Sequence, residues 1–582
     1  MTEPVEQTTA IEMTTGCRTA WLTARVAGAF SILFLVALGG NFIGTSIIGP
    51  NRENVLTQMK AEIGQGEATE AQLAEIRQLD LKIRRDRMWR LDFARKASYM
   101  LLASIAIFLV AGKLAAVLSK TPPKPQHAPD IGAEQIREGR RSRWAVITGL
   151  LILVAGGTAL VMVGAPAMPV KAEEAGPSYA TEEQKREQWH RFRGPGGAGV
   201  SVFTNIPTEW DGKAGKGILW KTPVPLIGHN SPIVWKDRVF LSGANEEKRE
   251  VYCYDATSGK LLWTGDVPTV PAISEAELEI MEDTGYSACT MATDGKRVYA
   301  IFATADIAAF DFNGRRLWHR NLGVPDNAYG YASSLETYLD RVIVQYDQGD
   351  GSSGQSRLYA LNGMTGRPVW EAKREAPNSW TSPAIVNVEG QLQLVTLTDP
   401  YAIANNPDDG TEIWRAECVT GDVAPSPVYA GGLILAVEPY SQMVAVKPIG
   451  KGDVTETHIA WRMEEGGPDI CCPVATDEYA YLLDGSGLLL WCNMADGKLA
   501  QEHDLRDDFM ASPSIVAGKL YLLSTEGVMY ISEVGPEYKE VAKCELGETC
   551  HASPAFVDGR IYIRGTENLY CIGSAAAENS TN

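Results

Sequence analysis

A chain of 582 residues is longer than one ordinary hydrophobic core supports and points to two or more structural units. Its net charge of −19 divides unevenly: residues 1–169 sum to about +5 and the remainder to about −24, which weighs against nucleic acid as a partner of the acidic part. Ten cysteines dispersed over this length do not make a disulfide framework, and Cys253, Cys492 and Cys571 recur inside strand motifs (YCYD, WCNM, YCIG) as small packing residues.

After an N-terminal tail (1–25), three apolar runs at 26–48, 99–119 and 144–167 each approach the ~20 residues that cross a bilayer. The first is too long, and starts too far in, for a simple cleaved signal, and two more follow it. It is also the least apolar, with Asn41, Thr45 and Ser46 in its second half. Lys113, the one charge within the runs, lies where a long side chain can reach the interface. The expectation is a membrane region (26–170) of three transmembrane helices. Between the first two, 67–95 reads as an amphipathic juxtamembrane helix, with Leu73, Ile76, Ile83 and Leu91 near one face and acids preceding bases. Lys124, Arg137, Arg140, Arg141 and Arg143 argue that loop 120–143 is cytoplasmic, but the basic stretch 82–96 would then lie outside, so charge alone leaves orientation open. A linker (171–188) follows.

From there the sequence repeats. A small-residue pair precedes a short strand at Ser231-Pro232, Ser382-Pro383, Ser426-Pro427, Ser512-Pro513 and Ser553-Pro554, with degenerate forms at Cys289-Thr290, Ser334-Leu335 and Cys472-Pro473. Eight occurrences about 46 residues apart match the length of a four-stranded propeller blade. Each leads into strands such as DRVFLSG or GKLYLLS, then into a polar turn ending in Trp, as in DATSGKLLW and DFNGRRLW. Gly in these turns supplies positive φ, and Asp or Asn braces the hairpin. The last unit lacks its outer strand, whereas GILWKTPVP, with Trp220 in repeat phase, precedes the first full unit. Joining the two ends predicts an all-β, eight-bladed β-propeller over 189–573 with a split last blade and no long free edge, followed by a polar tail (574–582).

The DATSGKLLW turn and its relatives resemble the tryptophan-docking repeat of the PQQ-like family. That family includes PQQ-dependent quinoprotein dehydrogenases and the non-catalytic assembly lipoprotein BamB. WHRFRGPGGAGVS and ECVTGDVAPSPVYAGG are similar to segments of membrane-anchored PQQ-like propeller proteins of environmental bacteria. The resemblance implies that Trp220, Trp263, Trp318, Trp370, Trp414 and Trp461 pack against neighbouring blades. In the sixth blade Gln501 stands in the Trp position, and the seventh has drifted to EYKEVAKCEL. The resemblance also implies a propeller outside the cytoplasm, in the periplasm, held at the inner membrane.

Loops entering the inner strands should surround one mouth of the central channel. They carry His229, Asn230, Tyr331, Trp380, Asp422, Asp469, Cys471, Cys472 and His551 as candidate site residues. Some alcohol-oxidising quinoproteins place a vicinal disulfide against the cofactor. Here Pro473 follows the pair and Cys472 replaces the repeat's Ser, which favours two buried thiols. DQGDGSSG (347–354) lacks the spacing and final Glu of an EF-hand and reads as a polar hairpin insertion. Cys550-His551 has Gly547 where covalent haem attachment needs a second Cys, and the seven histidines show no metal-ligand spacing. Two functions follow: a binding or scaffold module for envelope proteins, which the economy of the blades favours, or a membrane-bound dehydrogenase using PQQ and Ca²⁺. Both keep the membrane as a partner.

Overall fold

Two long apolar helices precede the sheet-forming part. The computed structural model describes residues 15–43, 93, 96–119, 178–269, 280–281 and 284–574, and the chain divides into two units, Met1–Glu173 and Glu174–Asn582. In the first unit, Thr15–Leu38 and Lys96–Leu118 are long and apolar enough to cross a membrane. Small residues mediate their contact: Cys17, Ala20, Ala24 and Ala27 on one helix, and Ala97, Ala111 and Ala115 on the other, are buried. The helices run antiparallel, because the Cys17 thiol donates to the Ala115 carbonyl while Ser31 and Ser104 share a hydroxyl hydrogen bond of 2.9 Å. Leu33, Val36, Leu109 and Val110 face outward, the arrangement of a helix pair that associates through small side chains.

The first helix, Thr15–Ile43, begins well before the expected 26. Hydropathy alone treats Arg18 and Arg25 as flanks, yet the small-residue stripe continues through them and the Arg25 guanidinium lies on the Trp21 ring at 3.3 Å. The expected third span (144–167) and juxtamembrane helix (67–95, apart from residue 93) lie outside the described residues.

The second unit is an eight-bladed propeller of eight antiparallel sheets, each with four blade strands. Blade 1 comprises Ile233–Trp235, Arg238–Ala244, Arg249–Asp255 and Leu261–Asp266, and blades 2 to 7 repeat the order through Glu540–Glu545. Blade 8 takes Ala555–Val557, Arg560–Arg564 and Asn568–Gly573 from the C-terminal end and Ile218–Pro223 as its outer strand, so the ring closes as the sequence predicts. The second and third strands are almost wholly buried, whereas outer strands such as Pro368–Lys373 are exposed or half-buried along their length. The segment expected to be a linker is part of this unit from Ser178 onward. A short helix, Glu182–Arg186, carries a capping box between Thr181 and Gln184, and Lys185 donates to the Thr337 carbonyl.

Five tryptophans dock as the resemblance implies. The indoles of Trp220, Trp263, Trp318, Trp370 and Trp461 donate, at 2.8–3.1 Å, to carbonyls in the next blade's outer turn. Each ring lies against that turn's glycine; a Cβ on Gly366, at φ +66°, would come within 2.6 Å of Trp318. Trp414 departs from the pattern. The next blade's turn is enlarged by Gly452–Asp453 and the helix Thr455–His458, so Trp414 donates to Gln393 Oε1 and Gln393 Nε2 passes the bond on to the Pro448 carbonyl. Where Gln501 replaces the repeat Trp, its cross-strand neighbour Trp491 reaches the next blade at Pro536. Blade 7 is covered by the segment leading to Ile218–Pro223: Trp210 is buried, Tyr521 donates to the Pro207 carbonyl, and the Gly212 N–H bonds the Glu545 carbonyl.

Candidate functional site

The small residue of each repeat owes its identity to the propeller axis. The backbone N–H of Ser231 donates to Thr290 Oγ1, that of Thr290 to Ser334 Oγ, and the series continues through Ser382, Ser426, Cys472, Ser512 and Ser553 at 2.8–3.2 Å. One blade thus hands a hydrogen bond to the next around the channel. The position needs a side chain that is short and accepts, which Ser, Thr and Cys satisfy. In blade 2 the ring residue is Thr290, the second of its pair. Cys472 takes the bond from Ser426 through its sulfur. Burial opposes its thiolate, but the Arg193 charge and the surrounding hydrogen bonds hold its pKa below the usual thiol range. Burial pushes Cys471 up, and the two thiols are unbridged.

One end of the channel is closed by the chain itself. Residues 189–201 cross it as a strap, entering from the face that carries the turns between first and second strands. The Trp189 carbonyl accepts from Val234, the His190 carbonyl from Thr293 and the Gly199 carbonyl from Ile515. Val200–Ser201 then adds in parallel to the inner strand Ser514–Val516. Arg191 donates to the Pro383 carbonyl and pairs with Glu336 at 2.8 Å, both side chains at most 4% exposed. Arg193 donates to the carbonyls of Ala198 and Pro473. Glycines permit this packing; a Cβ on Gly197, at φ +67°, would meet Arg191. The sequence motif WHRFRGPGG is visible at once, but its arginines find partners about 150 to 320 residues away, which no local pattern reveals.

The opposite end is the mouth. His229 and His551 meet across the junction of blades 8 and 1, with Nδ1 atoms 3.0 Å apart, and burial lowers the His551 pKa. Trp380 is half-buried; its indole donates to Asn327 and Tyr329 meets its ring edge-on at 5.3 Å. Tyr440, 82% exposed, donates to Asp469 at 3.5 Å, and Asp422 stands exposed on the rim. Other candidates belong to the wall. Asn230 is fully buried, bonded to Ser242, Ser287 and the buried Arg564, and Tyr331 is buried and stacks on Tyr346. Cys471 and Cys472 are likewise buried. Tyr329, Asn327 and Tyr440, which the sequence reading passed over, join Trp380 and Asp469 at the rim. The DQGDGSSG segment is a hairpin between the second and third strands of blade 3, in which Asp350 accepts from the N–H groups of Ser352 and Ser353.

A family model described as "Outer membrane protein assembly factor BamB" matches residues 207–333 and 330–460. An outer membrane protein assembly factor BamB of Yersinia pestis is 24% identical over 361 residues, covering 58% of this chain and 83% of its own length. These matches support a PQQ-like β-propeller family for the repeats. The same PQQ-like architecture recurs in the quinohemoprotein alcohol dehydrogenase of Comamonas testosteroni, 11% identical, with a TM-score of 0.51 over 68% of this chain and 82% of that one. A quinohemoprotein alcohol dehydrogenase of Pseudomonas putida HK5 gives 12%, 0.50, 70% and 84%. At such identities these likenesses concern the fold.

The mouth of this PQQ-like propeller does not fit the quinone cofactor. PQQ is a flat tricarboxylate and needs a free ring face, cationic or amide donors, and oxygen ligands converging on Ca²⁺. Tyr329 abuts the Trp380 indole at the rim. Two buried arginines behind the rim are already engaged: Arg374 pairs with buried Asp347 at 3.1 Å, and Arg564 donates to Asn230 and to the Ser242 carbonyl. Among the described residues no three His, Cys, Asp or Glu side chains converge on a common point.

Proposed function

We propose that the chain is a membrane-anchored binding and scaffold module whose propeller stands outside the cytoplasm and engages proteins of the cell envelope. The observation that carries this reading is the asymmetry of the channel. One end is filled by a strap with buried ionic and hydrogen-bonded contacts, while the other presents exposed aromatic and acidic side chains on a rigid ring. Similarity to a protein named for outer membrane protein assembly supports the envelope setting, and the two apolar helices support anchoring, with placement in the inner membrane following from the same reading. Fold by itself does not decide among functions.

The test is site-specific photo-cross-linking in the producing cells, with the reactive residue placed at Tyr440 or Trp380 on the mouth and at Glu389 on the opposite face of the full-length chain. Cross-links to defined envelope proteins from the mouth positions alone are expected. Absence of protein cross-links from every position would refute the scaffold reading. The runner-up is a membrane-bound PQQ-dependent dehydrogenase, favoured by the fold shared with the quinohemoprotein enzymes. Titration of the full-length chain with PQQ and Ca²⁺ addresses it: saturable binding abolished by Trp380→Ala would reinstate it.

A further inference from the structure

The strands of every blade alternate in direction, so the turns between second and third strands, and the connections from one blade to the next, all lie on the mouth face. The turns between first and second and between third and fourth strands lie on the other. Sorted this way, the described mouth-face segments hold about seventeen acidic residues against three basic ones, Lys248, Arg374 and Arg506. The opposite turns hold about thirteen against nine. Most of the excess negative charge of the propeller's turns is thus gathered on one face. Glu464, Glu465, Asp508 and Glu526 there are exposed.

A second, independent feature shares that face. Ile227, Met281, Val324, Tyr440, Ile470 and Met510 are large apolar side chains between 41% and 82% exposed, and all six lie in mouth-face segments. An acidic field draws in cations, and exposed aliphatic and aromatic groups call for apolar area.

We propose that the mouth face is a docking surface for a basic polypeptide segment carrying interspersed apolar side chains. This deepens the scaffold reading and rests on it. Long-range attraction from the rim accelerates encounter, and the apolar collar around Tyr440 and Ile470 retains the bound segment. The charge pattern disfavours acidic polypeptides and anionic lipid surfaces on the same face.

The test uses the full-length chain in nanodiscs of zwitterionic phosphatidylcholine, with empty nanodiscs as the blank. Three labelled synthetic peptides of sixteen residues serve as probes: Lys with Leu and Tyr, the same with every Lys replaced by Glu, and the same with every Leu and Tyr replaced by Ser. Fluorescence anisotropy should show binding of the first, weakened by salt, at least tenfold weaker binding of the third, and none of the second. The variant Glu464→Gln/Glu465→Gln/Asp508→Asn should weaken the first at least tenfold. The opposite-face variant Glu389→Gln/Asp477→Asn/Glu478→Gln removes the same charge and should change it less than twofold. Unchanged thermal unfolding of both variants certifies their folds. No binding of the Lys peptide, equal binding of the Glu peptide, or equal losses from both variants would overturn the proposal. If mouth-specific cross-links in cells persist alongside such a result, the scaffold reading stands and only the basic character of its partner is wrong.

Discussion

The two ends of the channel are built from the same repeat yet treated in opposite ways. At the strap end, long-range polar contacts are buried and paired; at the mouth, aromatic, acidic and apolar groups are left exposed. Burial with pairing indicates a contribution to stability, whereas exposure on a rigid frame indicates recognition. The sharpest way to break this distinction is to cut the strap's ion pair. Arg191→Met leaves Glu336 buried without its partner and should cost about 3–5 kcal/mol, seen as a large drop in the propeller's unfolding temperature. Tyr440→Ala at the mouth should stay within about 0.5 kcal/mol of the parent. Comparable losses from the two would erase the difference between the ends.

The next effect concerns the wall joining them. Trp318→Ala empties a docking site that also holds a hydrogen bond to the Gly363 carbonyl, and should cost about 3 kcal/mol. Gly366→Ala should cost a comparable amount by a different route, since its Cβ would collide with that ring at a backbone angle disfavouring side chains. Thermal unfolding of the double variant checks the link: once the indole is gone the added methyl meets little, and the two losses should fall short of their sum.

Acid should distinguish the ends as well. His190, in the strap, is buried, and burial, followed by the charges of Lys185 and Arg191, lowers its pKa well below the usual imidazole range. The unfolded chain takes up that proton near pH 6.5 while the folded chain resists it. Stability from neutral His190 is therefore complete above that pH and is lost as pH falls toward the folded value. Its share of the slope should approach about 1.4 kcal/mol per pH unit. Unfolding temperatures between pH 7.5 and 5 should decline in the parent and decline less in His190→Asn. His551, also lowered by burial but only half-buried, should leave a smaller slope of the same sign.

How much of this was legible in the sequence follows from the range of each interaction. Blade number, the split last blade and the docking tryptophans were readable because each repeat carries its own turn chemistry, as in DATSGKLLW. The relay through Gln393 was not, because it compensates for an enlarged turn in another blade. Nor was the strap, whose arginines look like surface charges beside glycines until the fold brings Pro383, Glu336 and Pro473 to them. Among the candidate residues, loop position sufficed to send His229, His551 and Trp380 toward the mouth, but not to show that the two histidines meet or that Tyr329 abuts Trp380. It could not tell rim from wall: Asn230 and Tyr331 occupy similar loop positions but turn inward to satisfy buried partners.

The smallest expected effect bears on where strap and mouth meet. Cys472 sits between them, accepting from the Ser426 N–H and lying beside Arg193, so two roles are conceivable: ring acceptor or thiol chemistry. The ring itself separates them. Six of its seven observed bonds end on a hydroxyl, and Cys472→Ser restores that pattern with an acceptor of nearly the same size. If the sulfur serves only as an acceptor, Cys472→Ser should leave stability within about 0.5 kcal/mol, whereas Cys472→Ala should lose about 1–2 kcal/mol by orphaning a buried N–H. Mouth-face peptide binding should be the same in both variants, because the ring holds the frame and the rim makes the contacts. A Ser variant as damaged as the Ala variant would mean that this position needs sulfur, and the line between a structural floor and a functional rim would have to be redrawn above Cys472.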